Sequence, residues 1–272
     1  MIGFHNENYI EVSKISLPIT STTINRSYAA FEFFTLANNK PFYLDRHLQR
    51  LFKTLEILRI QIEYSKSTLE KIIINLIDKN PIDNISFKIF VIPETLPNSD
   101  YFKGDVFIFP FLNAIQPISM YKTGAKLLIK EYHRFLPTAK TTNYTASVYW
   151  ENEISKQHAI DVLFCNGKTI KETSRSNIFI IKNNIIYTPI TDILYGITRS
   201  IAIDLIQKNK LILIEKEISI EELILADEVF ITSTTREIMP ITNIDSTSIG
   251  DGKVGNISHN LIHDFRQLKM EY

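Results

Sequence analysis

Pro137-Thr-Ala-Lys-Thr-Thr-Asn-Tyr144 reads as the point where an extended segment enters a helix, with Lys140 at its centre. Its neighbours Thr138, Ala139, Thr141 and Thr142 are small, and no other charged residue falls between Arg134 and Glu151. Such a setting desolvates a lysine easily, and desolvation favours the neutral, nucleophilic amine. Three further polar segments follow in order. They are Glu172-Thr-Ser-Arg-Ser-Asn177, Tyr195-Gly-Ile-Thr-Arg199 and Ile231-Thr-Ser-Thr-Thr-Arg-Glu237. Together they supply one amine, one carboxylate and two runs of backbone N–H and hydroxyl donors. Most lysines are solvated surface charges, so Lys140 gains its meaning from this company.

The chain has 272 residues, enough for one large domain or two small ones around a substantial core. Its 30 Lys and Arg balance its 30 Asp and Glu, which argues against a nucleic-acid partner. The lone Cys165 forms no internal disulfide and no metal site, and reads as a buried strand residue. No stretch approaches the roughly 20 apolar residues that span a bilayer. The polar Met1–Ile10 lacks the apolar core of a signal peptide, so a cytoplasmic enzyme is the expectation.

Two halves are expected: 1–115, and 125–272 after a linker over 116–124. Asn113–Ser119 is its best candidate because Pro117 stands among residues without a period. In the first half Tyr9–Val12 and Pro41–Leu44 read as strands. Asp45 is the expected N-cap of a helix whose stripe is Leu48, Leu51, Phe52, Leu55 and Leu58. Ser67-Thr-Leu-Glu70 looks like a capping box opening a helix to Asp78. Strands Ile85–Ile92 and Asp105–Pro110 flank a loop over Pro93–Lys103. In the second half, strand Ala125–Lys130 precedes a helix from Thr142 to Gln157. Strands are expected over Ala159–Cys165, Asn177–Ile181, Ile185–Thr188, Leu211–Glu215 and Glu228–Thr232. Lys182-Asn-Asn184 is a hairpin signal. Helices are expected over Thr198–Lys208, after the Ser219–Glu222 cap, and over Ile257–Leu268. Strands and helices mix without strict alternation, which argues for an α+β fold.

A lysine, an acid and phosphate donors are what an enzyme needs to hold pyridoxal 5'-phosphate (PLP). Gly196-Ile-Thr-Arg199 opens a helix, whose N-terminus offers unsatisfied N–H groups and a positive dipole end. Ser233-Thr-Thr235 is a second donor nest. In order and wording the segments resemble the class IV aminotransferases, PLP fold type IV. The resemblance is almost continuous from Lys126 to Met239, and thinner before, over Phe31-Glu32 and Tyr43–Leu51. It implies a two-domain fold, with a smaller N-terminal α/β domain and a larger C-terminal domain of mixed, barrel-like sheet. It implies that Lys140 carries PLP as a Schiff base and that Tyr144 bonds the phenolate oxygen. Glu172, five residues before Asn177, would hold the pyridine nitrogen. Ile197, Thr198, Ser233 and Thr234 would hold the phosphate. Arg50, from His47-Leu-Gln-Arg50-Leu51, would reach the same phosphate bidentately. It also implies a homodimer.

The sequence departs from its relatives in places. Asn25-Arg-Ser-Tyr-Ala-Ala-Phe-Glu32 has no glycine, and Arg26 stands where relatives often place an aromatic residue. Ser233 replaces a glycine. Ile92-Pro-Glu94 replaces an Arg-Gly from which relatives acting on D-amino acids draw a carboxylate-binding arginine. Arg26, Lys88 and Arg134 are the spare cations for a substrate carboxylate. The leading reading is amino transfer between an amino acid and a 2-oxo acid through Lys140. An alternative is a 4-amino-4-deoxychorismate lyase, releasing pyruvate and 4-aminobenzoate. A second alternative is a catalytically idle, PLP-free structural or binding protein.

Overall fold

The structure is a computed structural model that describes residues 1–94, 100–114 and 116–272. The loop expected over Pro93–Lys103 and the linker region around Ile115 lie partly outside the described residues. Two compact units form: Met1–Ala114 with Ala139–Asn143 and Tyr272, and Ile115–Thr138 with Tyr144–Glu271. The Lys140 segment, expected with the second half, packs in the first unit. The expected linker carries a short helix, Ile118–Thr123.

The first unit holds β1 (Ile2–His5), β2 (Asn8–Glu11), α1 (Thr22–Arg26), β3 (Ala30–Ala37), β4 (Lys40–Pro41) and α2 (Leu44–Ile57). It continues with β5 (Ile60–Gln61), α3 (Lys66–Asp78), β6 (Ile85–Pro93) and β7 (Phe102–Leu112). The sheet order is β2-β1-β7-β6-β3-β4, with β5 beside β7. On one face Ala30, Phe34, Phe87, Ile89 and Ile108 are fully buried, as are Leu48 and Leu51 of α2 and Leu69, Ile73 and Leu76 of α3. The period-2 side-chain alternation sends Phe31, Phe33, Lys88, Phe90 and Phe109 to the other face. Helix α2 starts after Tyr43, which takes a left-handed φ of 53° as N-cap; Asp45 lies in the first turn, where an acid suits the dipole. The cap of α3 is Ser65, accepting from Thr68 N–H, two residues before the expected Ser67.

The second unit holds α4 (Ile118–Thr123), β8 (Ala125–Glu131), α5 (Thr145–Tyr149), α6 (Glu151–Lys156), β9 (Asp161–Cys165) and β10 (Thr169–Thr173). Next come β11 (Asn177–Lys182), β12 (Ile185–Thr188), α7 (Ile197–Lys208), β13 (Ile212–Glu215), β14 (Ile218–Ser219) and α8 (Ile220–Ile224). It ends with β15 (Glu228–Ser233), β16 (Glu237–Ile244), β17 (Thr247–Ser248) and α9 (Asn256–Glu271). Strands β11, β15, β16, β8, β9 and β10 run round in a ring, which Glu172 and Asn177 close by pairing β10 with β11. This is the barrel-like sheet the resemblance implied. The hairpin residues Asn183 and Asn184 both have positive φ, as a type I′ turn requires. Ser219 and Glu222 form the expected capping box. Cys165 is buried in β9.

One expected helix is corrected. The chain is not helical from Thr142; α5 begins at Thr145, and Trp150 ends it and starts α6. Lys140–Thr142 is instead extended along β3. Phe31 N–H donates to the Lys140 carbonyl (3.0 Å), and Thr142 N–H donates to the Ala29 carbonyl (3.1 Å). Two successive β-branched threonines favour that extended backbone.

Candidate active site

In the first unit, β3 and α2 build the surroundings of Lys140. Its backbone N–H donates to Thr54 Oγ1 (3.1 Å), so strand and helix both clamp it. Its ammonium stands 4.3 Å from the Phe31 ring centroid. Spacings of three and four put His47, Arg50 and Thr54 on one face of α2. Two of them meet Glu32, which is fully buried. Arg50 donates from Nε to Oε1 (2.7 Å) and from Nη2 to Oε2 (2.8 Å). His47 Nδ1 donates to Oε2 (2.8 Å), the carboxylate being acceptor only. The fork of Arg50 expected on a phosphate is thus engaged by a carboxylate. Sequence reasoning assigned Glu32 no role, although an acid inside the apolar run Ala30–Ala37 was the signal.

Burial pushes the Glu32 carboxyl up, but the Arg50 guanidinium and the hydrogen bonds from Arg50 and His47 outweigh it and hold it well below the usual carboxylate range. Burial lowers the His47 imidazole, against the pull of Glu32. Both shifts act in one direction. A group whose pKa is lowered by folding takes up its proton first in the unfolded chain, so its contribution is complete above the unfolded pKa and is lost as pH falls towards the folded one. Stability is expected to decline below the ordinary 6.5 of histidine and more steeply below the ordinary 4.5 of glutamate. Urea midpoints measured across that range check this; a midpoint that holds level down to pH ~4 would contradict it.

Lys88, half-buried on the sheet face it shares with Phe31, holds its ammonium 4.8 Å from the Phe111 ring centroid and 6.0 Å from that of Phe90. Arg26 is exposed at the end of α1 and donates to the Asn25 carbonyl (3.0 Å).

In the second unit the site grows from the closing pair of the ring. Glu172 is 4% exposed, a buried carboxylate at that closing pair. Arg134 pairs with its Oε1, so the guanidinium expected for a substrate carboxylate is committed to Glu172. Leu194 N–H donates to Oε2 (3.0 Å). Asn177 donates to the Leu194 carbonyl (2.7 Å) and accepts from Gly196 N–H (3.1 Å). One amide thereby ties the start of β11, paired with Glu172 of β10, to the entry of α7. Gly196 is the N-cap and contributes no side-chain cap. Ile197 and Thr198 follow it, both buried. At the end of β15 the buried hydroxyl oxygens of Thr232 and Ser233 lack a hydrogen-bond partner. Thr234 is half-buried beside them, and Tyr144 is half-buried at the start of α5. Asp161, not foreseen, accepts from Ser174 (2.6 Å) and Arg236 (2.7 Å), so it braces both the turn after Glu172 and the loop after β15.

Partnerless hydroxyls and a helix N-terminus without a side-chain cap suit a group rich in acceptor oxygens, as a phosphate is. The residues present therefore fit PLP. Among the described residues no group of His, Cys, Asp and Glu is set to hold a metal ion.

Gly196 gives a direct test of the Asn177 tie. A Cβ there would stand 2.3 Å from Asn177 Oδ1. Gly196→Ala is expected to displace that amide and cost about 1–3 kcal/mol. It should also weaken PLP binding about tenfold, roughly one charge-assisted hydrogen bond. Thermal melts and cofactor titration check both; an unchanged Kd would remove the α7 entry from phosphate binding.

The family described as Amino-transferase class IV matches residues 29–244. A D-alanine aminotransferase of Listeria innocua is 30% identical, over 96% of this chain and 93% of the relative. The solved branched-chain amino acid aminotransferase of Escherichia coli superposes with a TM-score of 0.90 at 23% identity. The match covers 99% of this chain and 95% of that one. A Legionella pneumophila chain provisionally named 4-amino-4-deoxychorismate lyase gives 0.83 at 24% identity, over 94% and 96%. The chain belongs to the class IV aminotransferases. It is an enzyme of that PLP-dependent class, similar along nearly its whole length to D-alanine aminotransferases.

Proposed function

We propose that this enzyme uses PLP to move the amino group of a D-amino acid to a 2-oxo acid. The end-to-end likeness to D-alanine aminotransferases carries this reading. Bound PLP supplies an aldehyde for the amine and a ring that draws electrons from the substrate Cα. Lys140 would hold PLP through its aldehyde carbon; once the substrate amine had displaced it, the freed Lys140 amine would carry the proton between the substrate Cα and that carbon as general base and acid. Glu172 holds the proton on the pyridine nitrogen, and Arg134, Leu194 N–H and Asn177 fix its carboxylate. Tyr144 donates to the phenolate oxygen. The N–H groups of Ile197 and Thr198, the hydroxyls of Ser233 and Thr234, and Arg50 hold the phosphate. A cytoplasmic homodimer belongs to the same reading; light scattering at twice 31.5 kDa would check the assembly.

Of the three candidate cations, Arg134 is on Glu172 and Arg26 is exposed. Lys88 shares its sheet face with Phe31, the residue beneath the Lys140 ammonium. We therefore assign the substrate carboxylate to Lys88. Lys88→Met is expected to raise KM about tenfold or more, given ~1.5–3 kcal/mol for a charged hydrogen bond, with PLP affinity unchanged. If Arg26→Leu raises KM and Lys88→Met does not, the assignment passes to Arg26.

The deciding experiment offers D- and L-amino acids with 2-oxoglutarate, and aminodeoxychorismate separately. Turnover of D-alanine to pyruvate with amino transfer is expected. Transfer from L-amino acids alone would overturn the D-series. Formation of 4-aminobenzoate without amino transfer would make the chain a lyase. Failure to take up PLP would leave the idle reading.

A further inference from the structure

We infer that Glu32 is a positioning residue: its buried carboxylate locks the Arg50 guanidinium in the one orientation from which Arg50 engages the PLP phosphate. This rests on the phosphate role proposed for Arg50. Glu32 has no solvent exposure and touches two α2 side chains through three hydrogen bonds of 2.7–2.8 Å. Buried carboxylates are costly unless paired, and removing one partner of such a pair leaves an uncompensated charge. Nothing in the proposed chemistry uses Glu32 directly. The bond pattern indicates what it does.

Arginine has a long, rotamer-rich side chain, and its planar fork fits a carboxylate bidentately. The Nε–Nη2 edge of Arg50 is matched to both oxygens of Glu32. That fixes the guanidinium plane, and planarity then sends Nη1 to the side remote from the carboxylate. His47 bonds the same carboxylate from one turn earlier on α2, so the acid cannot swing away with the arginine. The charge balance points the same way. His47 feels both Arg50 and Lys140 as like charges, which places all three within electrostatic range. Glu32 offsets the guanidinium charge of Arg50 there. A phosphate dianion then meets an oriented donor.

The test compares PLP with pyridoxal, which lacks the phosphate, by titrating apoprotein with each. A residue that merely supports the fold would change both affinities and the melting temperature together. Glu32→Gln is expected to raise the Kd for PLP about tenfold or more and leave the Kd for pyridoxal unchanged. Arg50→Met should show the same selective loss, and the double variant should be no worse than Arg50→Met alone. Should Glu32→Gln fail to fold, Glu32→Asp keeps the charge but shortens the reach by one methylene, and the same selective loss is expected. If both Glu32 variants keep the wild-type preference for PLP, or lose both ligands equally, the positioning role is overturned while that of Arg50 stands. If the wild-type protein binds PLP and pyridoxal alike, the phosphate role of Arg50 falls, and this inference with it.

Discussion

Replacing Lys140 by alanine is expected to abolish amino transfer, lowering kcat by about three orders of magnitude or more, while the fold survives. The amine sits on a segment held by backbone contacts: its N–H bonds Thr54, and its carbonyl receives Phe31 N–H. Alanine keeps both, so the melting temperature should move little. What disappears is the one group assigned both to hold the cofactor carbon and to carry the Cα proton. Each tenfold of lost rate is about 1.4 kcal/mol of barrier. The measurement has two parts. Turnover is followed with D-alanine and 2-oxoglutarate. Wild-type holoenzyme is reduced with borohydride and digested, and the modified peptide is mapped. A phosphopyridoxyl label on any other lysine would end this assignment, whatever the activity of the variant.

Local signals in the sequence carried some elements well. Of the expected stripe, Leu48, Leu51, Leu55 and Leu58 are buried and Phe52 is half-buried, because one helix face suffices to define it. The Ser219–Glu222 box and the Asn183-Asn184 turn depend on neighbours within four residues, and both formed. Among the strands that went unread are two central ones, β3 and β16. Strand β3, Ala30-Phe-Glu-Phe-Phe-Thr-Leu-Ala37, is almost wholly apolar, so it shows no alternation. Strand β16 contains Pro240, which demotes a strand on propensity. Its tolerance is tertiary: Pro240 lies before Ile241, where the pairing with β8 begins. The site divides in the same way. Lys140, Glu172 and the α7 entry stood out as motifs. The extended course of Lys140–Thr142 did not, since it depends on β3, more than a hundred residues earlier in the chain. Glu32 and Asp161 were missed for the same reason. Their meaning lies in partners such as Arg50 and Arg236, which only folding brings together.

Glu172→Gln is the second substitution expected to have a large effect, and it separates charge from shape. Glutamine has nearly the same outline and keeps a carbonyl oxygen. It can still accept from Leu194 N–H, now 3.0 Å from Oε2, or from Arg134. The pairing of Glu172 with Asn177 across the ring closure is a backbone feature and should persist. What is lost is the negative charge that would hold a proton on the pyridine nitrogen. PLP should therefore bind within a few fold of wild type, while Cα deprotonation slows by about 100-fold or more, some 2.7 kcal/mol. A solvent-to-Cα hydrogen exchange assay reads that step directly. The variant also leaves Arg134 beside a neutral group, which alone could slow the enzyme by shifting the pocket. Arg134→Gln is the control: it removes the same ion pair but keeps the carboxylate, and its exchange rate should fall far less. If Glu172→Gln retains kcat within about threefold of wild type, or if the two variants slow exchange equally, the charge of Glu172 is not what sustains the reaction, and the pyridine nitrogen must be held by another group.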